Sequence, residues 1–352
     1  MSERPVVAVT MGDPAGIGAE VVVRAYRDLL EDARVLVVGD ADVVRDAVRV
    51  TGADLGVRAV ASVGEARFDP ETVDVVDLGG VDDHEYGVVR ADYGAASLAY
   101  VEWAVDAALE GAVDAIATAP INKQATALAG AEHAGHTGLL AERTGVEDYS
   151  MMLVEADLRV THVSTHVPLR EAVDRVTTEN VLRTIRVTDD ALADLGVEDP
   201  TVAVAGLNPH AGDGGLLGDE DDAEIAPAVE RAREAGIDAR GPESPDTVFS
   251  RAAGEGGADC VVAMYHDQGH IPVKMLGFSS GGVTGVNVTV GLPIVRTSVD
   301  HGTAFDIAGE GVASDESMRE AVAVAARIAR NRTSAGQGDV DERHDEPGDA
   351  HP

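Results

Sequence analysis

Lysine is nearly missing from this chain. Only Lys123 and Lys274 occur, so 25 of its 27 basic side chains (27 minus 2) are arginine. Positive charge is scarce altogether: 27 Lys and Arg stand against 63 Asp and Glu, a net charge of -36. A surface of that sign repels phosphate backbones and anionic lipid, which excludes nucleic acid and membrane surfaces as partners. Cysteine occurs once, at Cys260, so no intrachain disulfide can form, and a reducing compartment suits the chain. No apolar run approaches the roughly 20 residues of a membrane span. The opening "MSERPVVAVTMGD" has no apolar core of the kind a secretory signal carries. A cytoplasmic protein is expected.

The acidity is spread along the chain, a pattern favoured by molar salt, where screening shortens to about 3 Å. A salt-loving source is therefore expected. Drift toward Arg, Asp and Glu in that setting removes lysines that merely solvate a surface. The two survivors stand out as positions that need a compact ammonium, which the planar fork of arginine does not imitate.

Hydrophobic residues make up 45% of the chain, ample for a buried core. Short β-branched runs alternate with longer amphipathic stretches. Strands are expected at 6–11, 34–40, 73–78, 114–120, 201–210, 260–266 and 285–299, with a β-hairpin over 149–167 broken at "EAD". Helices are expected at 16–30, 92–111, 136–145, 178–196, 219–236 and 314–332. Nearly continuous apolar strands between helices indicate a sheet buried on both faces, hence an α/β fold. From residue 333 the sequence is polar, acidic and free of aromatics, and a disordered tail over 333–352 is expected.

Three histidines fall near the ends of expected strands: His166 in "VTHVSTH", His210 in "AGLNPH" and His266 in "VAMYH". In α/β sheets ligands collect beyond such ends, and three imidazoles arriving there suit a divalent metal with open positions. Unrelated loop histidines would look the same singly. "TMGDPAGIGAE" joins a strand to a helix, and its amides could receive an anion; a tight structural turn is the other reading. No GxGxxG or P-loop is present, which disfavours a Rossmann domain. Lys123 in "TAPINK", Lys274 and Arg296 are cations beside Gly and Pro, as an anionic substrate requires. "GHTG" adds an imidazole, a hydroxyl and backbone amides at 135–138.

Taken in order, "TMGDPAGIGAE", "TAPINK", "GHT", "STHVPLREA", "GLNPHAGDGG", "YHDQGHIPVK" and "GVNVTVGLPIVRTSVDHGTAFDIAG" resemble the 4-hydroxythreonine-4-phosphate dehydrogenase family of vitamin B6 biosynthesis, from about residue 5 to 330. The resemblance implies an isocitrate/isopropylmalate dehydrogenase-like α/β/α fold. It implies one catalytic region, 1–332, of two intimately connected subdomains with the active site in the cleft between them. It also implies a homodimer whose active site lies at the subunit interface. The implied reaction is oxidation of the C3 hydroxyl of a 4-phosphorylated four-carbon acid, with NAD or NADP, followed by loss of CO2. His166, His210 and His266 would hold a divalent metal (Zn, Mg, Mn or Co). His136, Thr137, Lys274, Asn287 and Arg296 would bind substrate, with Lys274 and His136 catalytic, and Asp300, His301 and Thr303 would meet the dinucleotide. "DYSMMLVEADLRVTHVSTHVPLREAVDRV" and "YHDQGHIPVKMLGF" look closer to a second branch of the family, which oxidises 4-phospho-D-threonate or 4-phospho-D-erythronate. The run "SSGGVTG" (279–285) reads as a lid or a surface loop. A metal-dependent lyase or hydrolase of a phosphorylated acid, without nicotinamide, is the alternative the residues themselves leave open.

Overall fold

The computed structural model describes residues 4–131, 136–279 and 284–341, without the side chains of 136, 137, 279 and 335–341. Twelve strands form one sheet: β1 (Val6–Thr10), β2 (Arg34–Gly39), β3 (Gly56–Val60), β4 (Thr72–Asp77), β5 (Ala115–Thr118), β6 (Ser150–Glu155), β7 (Leu158–His162), β8 (Thr201–Ala205), β9 (Asp238–Glu243), β10 (Cys260–Ala263), β11 (Val286–Val290) and β12 (Arg296–Val299). Their order is β3-β4-β2-β1-β5-β12-β11-β6-β7-β10-β8-β9. Fully buried runs such as "VVAVT" in β1 and "CVVA" in β10 make up its centre, as an α/β sheet covered on both faces requires.

The sheet reverses direction in its middle. β12 is parallel to β5, β11 is antiparallel to both β12 and β6, and β6 is antiparallel to β7. The block from β3 to β12 therefore runs one way and the block from β7 to β9 the other. The hairpin expected over 149–167 is the β6–β7 pair, turning at Ala156 with φ 50°.

Right-handed crossovers put helices on opposite faces when the chain moves in opposite directions along the sheet. The chain steps from β1 to β2 through helix Gly18–Asp32 and from β4 back to β5 through helix Ala91–Leu109, so both faces are covered. The α/β/α layering expected from the sequence is present. Leu153, Val160 and Val273 share one buried cluster, so helix His266–Ser279 lies on the face that carries Leu153. Asn287 of β11 lies directly opposite both Leu153 and Ser298, and such partners share a face. The middle of the sheet under that helix thus presents Asn287 and Ser298.

Several boundaries differ from the sequence reading. The run 285–299 is two antiparallel strands rather than one, because Gly291 turns the chain at φ 89°. Residues 266–279 are helical through Pro272, so Lys274 sits inside a helix rather than beside a turn. The last helix continues to Asp341, beyond the end expected at 332, with Thr333 and Ser334 hydroxyls donating to the carbonyls of Ala329 and Arg330. Of the tail expected over 333–352, residues 342–352 lie outside the described residues, as do 280–283 of the "SSGGVTG" run.

Candidate functional site

Helix His266–Ser279 covers β6 and β7, while the short helix Lys123–Leu128 packs on Ala91–Leu109 beside β5. Between them in the sheet lie β12 and β11. The Asn122 side chain caps the first turn of its helix, accepting from the amides of Gln124 and Ala125, and so places exposed Lys123 at its start. His166 follows β7. Burial lowers its pKa, and the charges of Lys123 and of His266 lower it further, so Lys123 and His266 are both near this imidazole. The His166 and His266 rings are 5.5 Å apart. His266 Nδ1 is 2.7 Å from Asp267 Oδ1. A carboxylate accepts from Nδ1–H, which leaves the Nε2 lone pair for a ligand.

Two of the three expected metal histidines are therefore together, neutral at His166 and oriented at His266, which is the donor chemistry a divalent metal takes. His210 is not brought into a group with them inside one chain. It is exposed on the turn Pro209–Asp213, where His210, Ala211 and Gly212 have φ of 54°, 53° and 80°. The buried Asp221 carboxylate holds that turn by accepting from the amides of Leu207 and Asn208. Among the described residues of a single chain, no three His, Cys, Asp or Glu are arranged to hold a metal ion.

Lys274, two helical turns beyond His266, pairs through its ammonium with the Asp300 carboxylate and donates to the Asp300 carbonyl at 3.1 Å. An expected substrate cation and an expected cofactor residue thus contact each other. Asn287 Nδ2 faces Met151 Sδ at 2.9 Å, while its buried Oδ1 has no partner among the described residues, an orphan acceptor on this face of the sheet. Arg296 is 2% exposed; its two terminal nitrogens donate to Thr289 Oγ1 and Thr118 Oγ1 at 3.0 and 2.7 Å. Burial pushes its pKa down to about 9, and it remains a cation at neutral pH. His136 begins helix His136–Thr144, but its side chain and that of Thr137 lie outside the described residues.

The glycine turn of 10–20 is closely packed against the loops after β5 and β12. A Cβ on Gly12 would overlap the Pro120 carbonyl, and one on Gly16 would press on Thr303 at 3.0 Å. Four of the turn's amides are engaged: Asp13 with Pro120 O, Ala15 with Asp13 Oδ1, Gly16 with Asp13 O and Ile17 with Thr303 O. His301 Nδ1 lies 3.0 Å from the Gly302 carbonyl, and its buried Nε2 has no partner among the described residues. Asp13 is itself buried, and that burial raises its pKa to about 6.

The sequence reading missed His162 and His270. His270 stacks on His266 with centroids 3.6 Å apart and planes at 12°, and His162 lies behind it at 4.8 Å. Burial pushes their pKa values down to about 4 and about 3. The signal available was spacing: 266, 270 and 274 lie four apart, on one face of a helix. Cys260 is fully buried, and burial raises its thiol to about 12, so it is an inert core residue.

No helix among the described residues is long and apolar enough to cross a membrane. The model of the family described as pyridoxal phosphate biosynthetic protein PdxA matches residues 31–325. D-threonate 4-phosphate dehydrogenase of Cupriavidus necator is 46% identical over 332 residues, 93% of this chain and 98% of that one. The enzyme of the same name from Salmonella typhimurium is 47% identical over 331 residues, 93% of this chain and all of that one. The crystal structure of 4-hydroxythreonine-4-phosphate dehydrogenase from Klebsiella pneumoniae superposes with a TM-score of 0.82 at 45% identity, covering 93% and 99% of the two chains. Matched by the family's model over most of its length and by these enzymes almost end to end, the chain belongs to the PdxA family.

Proposed function

We propose that this chain is an NAD(P)-dependent, metal-assisted dehydrogenase that oxidises the C3 hydroxyl of D-threonate 4-phosphate and releases CO2. One observation supports this reading: Lys123 and His266 both lie near His166, and Lys274 follows His266 by two turns of the same helix, over the sheet face that carries Asn287. The relatives named for D-threonate 4-phosphate direct the choice of acid.

In this reading Lys123, Lys274 and Arg296, with His136 and Thr137, hold the phosphate and carboxylate. The orphaned Asn287 Oδ1 accepts from a substrate hydroxyl. Lys274 and His136 hold or move the proton at the C3 oxygen. Asp300, His301 and Thr303 form the wall that meets the dinucleotide, and the contact between Asp300 and Lys274 joins the two sites. A bound divalent metal (Zn, Mg, Mn or Co) supplies electrostatic stabilisation of negative charge on oxygen, and nicotinamide supplies the hydride acceptor. C3 loses a hydride and its hydroxyl loses a proton, giving a 3-keto acid. The carboxylate β to that ketone then leaves as CO2, its bonding electrons pass to C2, and C2 takes up a proton to give a three-carbon keto phosphate.

His166, His210 and His266 make up the metal set, completed across the interface of a homodimer. Ile271, Met275 and Phe278 on the outer face of helix His266–Ser279 are 56%, 66% and 73% exposed. The groove beside them is lined by Leu207, Pro209, Tyr265 and Asp267, next in sequence to His210 and His266. An apolar patch of this kind marks an interface, and one here buries the two histidines under a second copy. The cell compartment is the cytoplasm.

The test is absorbance at 340 nm with NAD+ and NADP+, offering the 4-phosphates of D-threonate, D-erythronate and hydroxythreonine in molar potassium chloride. D-threonate 4-phosphate is expected to give the highest kcat/KM. Keto phosphate formed without reduced nicotinamide would instead make the protein a lyase.

A further inference from the structure

We propose that His270 is a positioning residue, its ring clamped between His162 and His266 so that it fixes the orientation of the His266 imidazole. The proposal rests on the reading of His266 as a metal ligand. His266 opens its helix and its side chain is 36% exposed, so packing from outside does not select its rotamer. Two contacts restrict it. In the ring plane, Nδ1 meets Asp267 Oδ1 at 2.7 Å. On the ring face, His270 stacks at 3.6 Å with planes only 12° apart. The first contact limits rotation within the plane and the second limits tilt, and together they leave one direction for Nε2.

His270 is fixed in its turn. Its Nδ1 lies 3.0 Å from the His266 carbonyl one helical turn back, and since a carbonyl only accepts, Nδ1 carries the proton. Behind it stands His162, 3% exposed, at 4.8 Å and 45°, with Nδ1 3.3 Å from the Met151 carbonyl of the neighbouring strand. Among the described residues His162 Nε2 is buried with no hydrogen-bond partner. The helix reaches this ring because residue 269 is glycine. A Cβ there would overlap His162 Nε2 and lie within 3.1 Å of Ala263 Cβ. β7, the helix and the His266 ring are thus in series: sheet to His162, His162 to His270, His270 to His266.

Cobalt(II) tests the proposal, read by its d–d absorption and by titration of binding to the wild-type protein and to His270→Leu, His270→Phe and His266→Ala. Leucine fills the volume without a planar face; phenylalanine keeps the face and loses the nitrogens. His270→Leu is expected to bind Co2+ about 10 to 100-fold more weakly, the usual penalty for losing a ligand's support. His270→Phe is expected to stay within about threefold of wild type, with a kcat/KM loss smaller than that of the leucine variant. If His270→Leu keeps the wild-type affinity and spectrum while His266→Ala loses both, the metal reading stands and the positioning role falls. If His270→Phe loses as much as leucine, the stack is not what positions the ring, and the proposal also falls. A wild-type protein that binds no Co2+ overturns the metal reading and this proposal together.

Discussion

In the block from β3 to β12, the loops after β1, β5 and β12 are tied to one another by backbone. Gly12 sits against the Pro120 carbonyl, the Asp13 amide donates to that same carbonyl, and Ile17 donates to Thr303 O. In the block from β7 to β9, contact with the site is made by side chains: the His162–His270–His266 stack, the His266–Asp267 pair, and the pairing of Lys274 to Asp300 across β11. A backbone junction tolerates no Cβ at its glycine, whereas a side-chain stack tolerates small shifts but no loss of shape. The first block behaves as a frame and the second as an adjustable jaw.

The largest effect expected from this contrast falls on the two lysines. Lys274 is half-buried and held by Asp300, while Lys123 is exposed. Lys274→Arg replaces a compact ammonium with a broad planar fork in a confined position. A loss of about 2 to 4 kcal/mol in kcat/KM, about 30 to 1,000-fold, is expected for it. Lys123→Arg keeps its charge in open space and is expected to stay within about tenfold. Steady-state kinetics of both variants in molar salt check the ordering; a greater loss at Lys123 would invert the frame-and-jaw picture.

The frame was the more legible half. β1, β2, β4 and β5 announce themselves as apolar β-branched runs because they are buried on both faces. β3 ("GVRAV") and β9 ("DARGPE") escape notice because edge strands carry charge and exposed positions, which erase the pattern. In the jaw, the helix at 266–279 is hidden by Gly269, Pro272 and Gly277, residues that local propensity sets against a helix. Gly269 is there for His162, a contact between residues 107 positions apart (269 minus 162) that no local pattern can encode. The reversal of sheet direction was half hidden: the β6–β7 hairpin was expected, but the β11–β12 pair depends on a φ of 89° at Gly291 inside what reads as one strand. Motif resemblance located the metal and substrate candidates; spacing alone located only the histidines. That His162 and His270 back His266 emerges only from the packing.

A second break in the comparison comes from the glycines. Gly12→Ala adds a Cβ against a backbone carbonyl at φ 74°, and neither partner can yield. A cost of about 3 kcal/mol is expected. Gly269→Ala also collides, but chiefly with the tips of side chains, His162 Nε2 and Val160 Cγ1. About 1 to 2 kcal/mol is expected there. Combining it with His162→Ala, which empties the obstructed space, is expected to cost less than the sum of the two single changes by about 1 kcal/mol. Denaturant melts of the four proteins give that coupling. Strict additivity would mean that the helix does not rest on the His162 ring.

The smallest net effect in the wild-type protein lies in pH, where the two blocks carry opposite signs. Asp13 has its pKa raised by burial from 3.8 to about 6, so between those values the folded chain holds a proton that the unfolded chain has lost. Stability from this residue therefore falls as pH rises from about 4 to 6 and stays lowered above that. His162 has its pKa lowered by burial from 6.5 to about 3, so over the same interval the unfolded chain holds the extra proton. Stability from His162 is present above pH 6.5 and is lost as pH falls toward 3. In the wild-type protein the two slopes oppose each other between about pH 4 and 6 and largely cancel. Replacing one group at a time separates them. Asp13→Asn, which stands in for the protonated acid, removes the first slope, so its stability relative to wild type should decline by about 2 kcal/mol as pH is lowered from 7 to 4.5. His162→Asn keeps a donor toward Met151 O and removes the second, so its relative stability should improve by a similar amount over the same range. Comparing each variant with wild type at the same pH cancels the titration of the chain's many exposed carboxylates. Urea melts at pH 7, 5.5 and 4.5 with metal excluded supply the numbers. Variants whose differences from wild type stay flat with pH, or share one sign, would show that these two buried groups do not divide the molecule as the packing indicates.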